Sequence, residues 1–73
     1  MDEGREYLKK LRENSGKTQH DIADIWNIGQ PTYSMYETGR IKNIDMDFLR
    51  LTAEYYEIPM DFLLAEEIKF RYK

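Results

Sequence analysis

The stretch that most constrains the fold is Thr18 to Gly39, which reads TQHDIADIWNIGQPTYSMYETG. Pro31 is acceptable to a helix only in its first turn, where the missing N–H costs nothing. A helix therefore starts at Gln30 or Pro31, with Gly29 as its N-cap and Gly39 as its stop. Upstream, Thr18 and Asp21 have the form of a capping box, with Asp in place of the more usual Glu. They open a helix over about 18–26 whose stripe is Ile22, Ala23 and Trp26, flanked by Ile25. Between the two helices only Asn27-Ile28-Gly29 remains, and Asn tolerates the left-handed conformation that so tight a turn needs. The helix after the turn, about 30–38 and helix 3 in chain order with 18–26 as helix 2, sets Tyr33 and Tyr36 on one side and small or polar residues on the others. That layout holds one face against a core and leaves another free to touch a partner.

The flanking sequence supplies the supports. Tyr7, Leu8 and Leu11 recur at helical spacing, with Asp2 and Glu3 suiting a helix start and Lys9, Lys10 and Arg12 its end. This predicts a first helix over about Asp2–Asn14, closed by Asn14-Ser15-Gly16 with Gly16 left-handed. After a loop from Arg40 to Ile44, Asp45 caps a fourth helix, MDFLRLTAEYY, in which Phe48, Leu49, Leu51 and Tyr55 repeat. Pro59 opens a fifth, MDFLLAEE, with Phe62 and Leu63 inward. In the tail, 68–73, Ile68, Phe70 and Tyr72 alternate with Lys69, Arg71 and Lys73. That is a strand period, so the tail reads as a short strand in preference to an extension of the fifth helix. Residues 1–67 then form one all-α domain of five short helices packed orthogonally, and 68–73 a dimerisation segment.

Composition sets the outer limits. At 73 residues with 41% apolar content, the chain is a single small domain, near the lower end of what a hydrophobic core alone sustains. No Cys is present, so neither disulfides nor thiolate metal sites brace it. A lone histidine, His20, cannot build a zinc site of the usual ligand set. No nucleophile–base constellation appears, so neither an enzyme nor a cofactor is expected, and no small-molecule ligand is evident. No apolar run approaches the roughly 20 residues of a membrane span, and a soluble cytoplasmic protein is the expectation. The net charge of −3 runs against the usual basic balance of nucleic-acid binders. That excess lies wholly in residues 44–73, which carry four basic and seven acidic side chains. Residues 17–43 carry three of each, with Lys17, Arg40 and Lys42 at the ends of the central stretch.

LKKLRENSGKTQHDIADIWNIGQPTYSMYETGRIKN, followed by FLRLTAEYYEIPMDFLL, resembles the Cro and lambda-repressor-like helix-turn-helix family of prokaryotic and phage regulators. The resemblance covers about Tyr7 to Leu64. It rests on the Leu-Arg pair in helix 1, Gln at the start of helix 2, Glu-x-Gly closing helix 3, and Ile-Pro-x-x-Phe-Leu leading into helix 5. It implies a nucleoid-associated transcriptional regulator, a repressor, that binds double-stranded DNA as a homodimer. Gln30, Pro31 and Met35 match the base-facing positions of helix 3, with Ser34 beside them. Gln19 matches a residue that bonds a phosphate and braces the recognition helix. Thr38, Arg40 and Lys42 match loop positions that meet the DNA backbone, and Lys17 and Thr18 join them at the start of helix 2. Arg12 and Glu37 match an internal salt bridge. The chain departs from the family pattern at Asn27, where Gly is common, at Gly29, where Ser or Thr usually caps, at Pro31, and at Trp26, where a smaller aliphatic is common.

The chemistry of these side chains suits the implied task. A helix fits the major groove, where each base pair shows a distinct donor and acceptor pattern. Gln30 can pair bidentately with adenine, and Pro31 and Met35 can meet a thymine methyl. Helix N-termini hold phosphates without net positive charge, which offsets part of the charge objection. Two other readings stand beside this one. The acidic balance and the sparse reading face suit a helical protein-interaction module, such as an antitoxin-like domain, with little or no DNA binding. The chain would also serve as the DNA-binding half of a longer regulator.

Overall fold

The computed structural model describes residues 4–72. Five helices follow in order: α1 (Glu6–Asn14), α2 (Gln19–Ile25), α3 (Gln30–Thr38), α4 (Met46–Tyr56) and α5 (Met60–Arg71). Among the described residues there is no strand. The fold is the all-α, five-helix architecture expected of a lambda-repressor-like domain. The chain divides into two compact units, 1–41 and 42–73.

In the first unit α3 packs against both α1 and α2. Its core comprises Tyr7, Leu8, Ile22, Ala23, Trp26 and Tyr33, all buried. Local chemistry fixes the helix ends. At the close of α1, Gly16 is left-handed (φ 73°), and the amides of Gly16 and Lys17 donate back to the carbonyls of Glu13 and Arg12. The same pair of bonds closes α2, where Asn27 takes φ 56° and the amides of Asn27 and Ile28 donate to Asp24 and Ala23. These are Schellman closures, which satisfy the last carbonyls of each helix and reverse the chain within a few residues. The capping box is complete despite its Asp: the Asp21 amide donates to Thr18 Oγ1 at 3.1 Å and the Thr18 amide to Asp21 Oδ2 at 3.0 Å. Gly29 caps α3, Pro31 lies in its first turn, and Gly39 ends it in the left-handed region.

In the second unit α4 packs on α5, with Phe48, Leu49, Ala53 and Leu63 buried. Asp45 caps α4 by accepting from the Phe48 amide at 2.7 Å.

Three expectations require correction. The first helix begins later than the charge pattern indicates: Gly4 and Arg5 are not helical and α1 starts at Glu6, while Asp2 and Glu3 lie outside the described residues. In α5 Phe62 is not inward but 45% exposed. The inward face repeats at Met60, Leu63, Glu67 and Phe70, and Phe62 stands about 100° away from Leu63, one residue's rotation. Last, Ile68 to Arg71 do not form a strand; they continue α5, and the Tyr72 amide donates to the Ile68 carbonyl. Alternation signals a strand only when one set of side chains is buried, and here Ile68 and Tyr72 are exposed at 57% and 78%. A helix satisfies its backbone internally, whereas a lone strand needs a partner. Lys73 lies outside the described residues.

Candidate nucleic-acid interface

The site is built on α3, whose two faces have opposite environments. Tyr33 is fully buried and Glu37, one turn on, is 5% exposed. Tyr36, half-buried, flanks the same side. The Tyr33 ring meets Trp26, the residue that closes α2, edge to face, centroids 5.8 Å apart. That contact locks α3 onto α2 through two large apolar side chains.

Glu37 is the polar pin of the same face. Its carboxylate accepts from Arg12 Nε at 2.6 Å and Nη2 at 3.2 Å, from Gln19 Nε2 at 3.0 Å and from the Tyr33 hydroxyl at 2.7 Å. All three helices of the unit therefore meet at one carboxylate. Burial alone pushes this carboxyl upward, but the hydrogen bonds from Arg12, Tyr33 and Gln19 outweigh it and hold it below the usual carboxylate range. The bond to Glu37 in turn raises the Arg12 guanidinium. Arg12 Nη1 also donates to the Lys17 carbonyl at 2.9 Å, which ties α1 to the approach of α2.

The opposite face is open. Pro31, Ser34, Met35 and Thr38 follow the i, i+3, i+4, i+7 spacing of one helix face. Pro31 and Thr38 are exposed, Ser34 and Met35 half-exposed. Together with Arg40 these four residues line a shallow depression. Gln30 is exposed at the first position of α3.

The residues expected to meet phosphate are spread more widely. Lys17 and Thr18 are exposed at the start of α2, although the Thr18 hydroxyl is engaged in the capping box. Backbone and side-chain bonds from Thr18 hold the Asp21 carboxyl below its usual range, so this cap stays ionised. Gln19 is half-buried and gives one Nε2 hydrogen to Glu37. An amide nitrogen carries two, so the second is left for another acceptor. A small recess brings Gln19 together with Glu6, Lys9, Glu37 and Thr38. Arg40 is exposed just past Gly39, and Lys42 belongs to the second unit, its ammonium 5.7 Å from the centroid of Phe70.

A family model, HTH_3, described as a helix-turn-helix, matches residues 8–63, most of the chain. The chain belongs to this family. HTH_3 comprises helix-turn-helix domains of the Cro/C1 type, and its membership makes this chain a DNA-binding helix-turn-helix regulator. In the HTH_3 domain α2, the turn Trp26–Gly29 and α3 form the helix-turn-helix itself. No curated protein and no solved structure matches the chain.

Two features of this HTH_3 domain are not legible from residue pattern. Arg5 is completely buried, though a charged residue among charged neighbours reads as a surface group. The Tyr33 hydroxyl serves Glu37, whereas spacing identifies Tyr33 only as an apolar anchor. Among the described residues no group of three or more His, Cys, Asp or Glu side chains is placed to hold a metal, and no helix is long and apolar enough to cross a membrane.

Proposed function

We propose that this regulator is a sequence-specific repressor that reads the major groove with α3. The observation that carries the reading is the division of α3 into a face fixed by Tyr33 and Glu37 and an outward face of Pro31, Ser34, Met35 and Thr38. A rigid helix with a free face is what direct readout requires. Gln30 pairs with adenine, Pro31 and Met35 meet thymine methyls, and Ser34 bonds a base or an adjacent phosphate. Lys17, Thr18, Gln19, Thr38 and Arg40 hold the phosphates on either side, Gln19 with the N–H that Glu37 does not use. Repression follows from occupancy of the operator.

Fluorescence anisotropy on random and genomic DNA at two salt concentrations tests the reading. Binding that weakens with salt is expected, because phosphate contacts release counterions. No binding to any DNA at low salt would overturn it, and would leave a protein-interaction module as the function.

The regulator acts as a homodimer, reading two half-sites about one helical turn, ~34 Å, apart. Support comes from α5, where Phe62, Ala65 and Ile68 are exposed within one side of the helix, and from Tyr72, exposed just past its end. Apolar side chains placed together in this way mark an association surface. Sedimentation equilibrium is expected to show a dimer for the wild type and a monomer for Ile68→Glu. An unchanged mass for Ile68→Glu would place the interface elsewhere.

A further inference from the structure

Arg5 precedes α1, far in sequence from the reading helix, yet its side chain is 0% exposed. It is buried against the C-terminal end of α3. Nη1 donates to the Tyr36 carbonyl at 2.6 Å and to the Ile41 carbonyl at 2.8 Å, and the Arg5 main-chain amide donates to the Glu37 carbonyl at 2.8 Å.

The last four carbonyls of a helix have no partner within it. In α3 the Met35 carbonyl is taken by the Ile41 amide, and the next two, Tyr36 and Glu37, by Arg5. The last turn of α3 contains no basic residue of its own. Arg5 therefore brings from another segment the cation that favours a helix C-terminus. Because the same nitrogen also holds Ile41, it fixes the turn after Gly39 and with it Arg40, which lines the outward depression. Arg12 grips α3 by the side chain of Glu37; Arg5 grips it by the backbone.

We infer that Arg5 is a positioning residue for DNA recognition, a clamp that sets where α3 ends and where Thr38 and Arg40 are presented to the duplex. This rests on α3 being the reading helix. A lysine at this position keeps the charge but offers a point donor in place of the planar fork.

The test uses the full chain as wild type, Arg5→Lys and Arg5→Met, at a temperature where circular dichroism shows each folded. Affinity is measured for a site selected by the wild type and for random DNA of equal length. Specific binding far exceeds non-specific binding in a positioned interface, and that ratio is the readout. Arg5→Met is expected to lower the ratio about tenfold and Arg5→Lys about threefold, affinity for the selected site falling further than affinity for random DNA, which loses only the phosphate contacts of Thr38 and Arg40. A fall in melting temperature with the ratio intact in Arg5→Lys would overturn the inference, because Arg5 would then only stabilise the fold. Should Arg5→Met not fold, Arg5→Lys decides alone. Should neither fold, the wild-type guanidinium decides: exchange protection that increases on binding the selected site supports the clamp, and no change on binding overturns it. Wild type that binds no DNA would refute the functional reading. The clamp itself would then be judged by amide exchange at residues 39–41, about tenfold faster in Arg5→Lys if the clamp exists and unchanged if it does not.

Discussion

Replacing Arg12 with Ala is expected to destabilise the domain by about 3 kcal/mol, since removing one partner of a buried ion pair leaves the other charge uncompensated. The carboxylate left behind is Glu37, whose side chain is 3% exposed and which keeps only Gln19 and the Tyr33 hydroxyl. Tyr33→Phe removes a single neutral donor to the same carboxylate and is expected to cost less, about 1–2 kcal/mol. The order of the two is the informative result, measured as denaturant midpoints. Arg12→Ala unfolding at the wild-type midpoint would mean that the ion pair does not hold α1 to α3.

Acid titration supplies a second signature of the same site. The folded-state pKa of Glu37 is depressed, so its contribution is present above the unfolded value, about 4.3, and is lost as pH falls through the folded value. Wild-type stability should therefore decline below about pH 4. In Arg12→Ala burial dominates and favours the protonated acid. The gap between the two proteins should narrow on acidification, and a gap that widens would contradict the assignment.

The second large effect concerns recognition and leaves the fold alone. Gln30→Ala is expected to cost about 1–3 kcal/mol at the operator and to relax specificity at one base position. Gln30 is exposed at the start of α3, so its loss opens no cavity and unpairs no buried group. The melting temperature should lie within about 2–4 degrees of the wild type, a surface substitution being worth under 0.5 kcal/mol. Unchanged affinity across all base positions would assign readout to other residues.

How much of this was legible in the sequence depended on whether the signal was local. Thr18 with Asp21, Gly16, Asn27, Pro31, Gly39 and Asp45 each act on the backbone within a few residues, and the helix ends follow from them. The end of α4 lacks such a marker: Glu57 takes φ 56° without the usual Gly or Asn, and the Ile58 amide closes the helix on the Ala53 carbonyl. Phase within α5 was ambiguous because Phe62, Leu63 and Leu64 are consecutive, and a run of apolar residues does not say which one points inward. Burial of Glu67 on that face hid the true period. Arg5 was invisible for a different reason. Its partners are backbone carbonyls thirty or more residues away, which carry no mark in the sequence.

Selection of bound sequences from a random DNA pool tests most directly whether the outward face of α3 reads bases. The expected result is convergence on one motif, made of two half-sites about one helical turn (~34 Å) apart, with a single position relaxed when the selection is repeated with Gln30→Ala. A pool that binds but never converges would contradict base reading by α3, because phosphate contacts alone carry no sequence information.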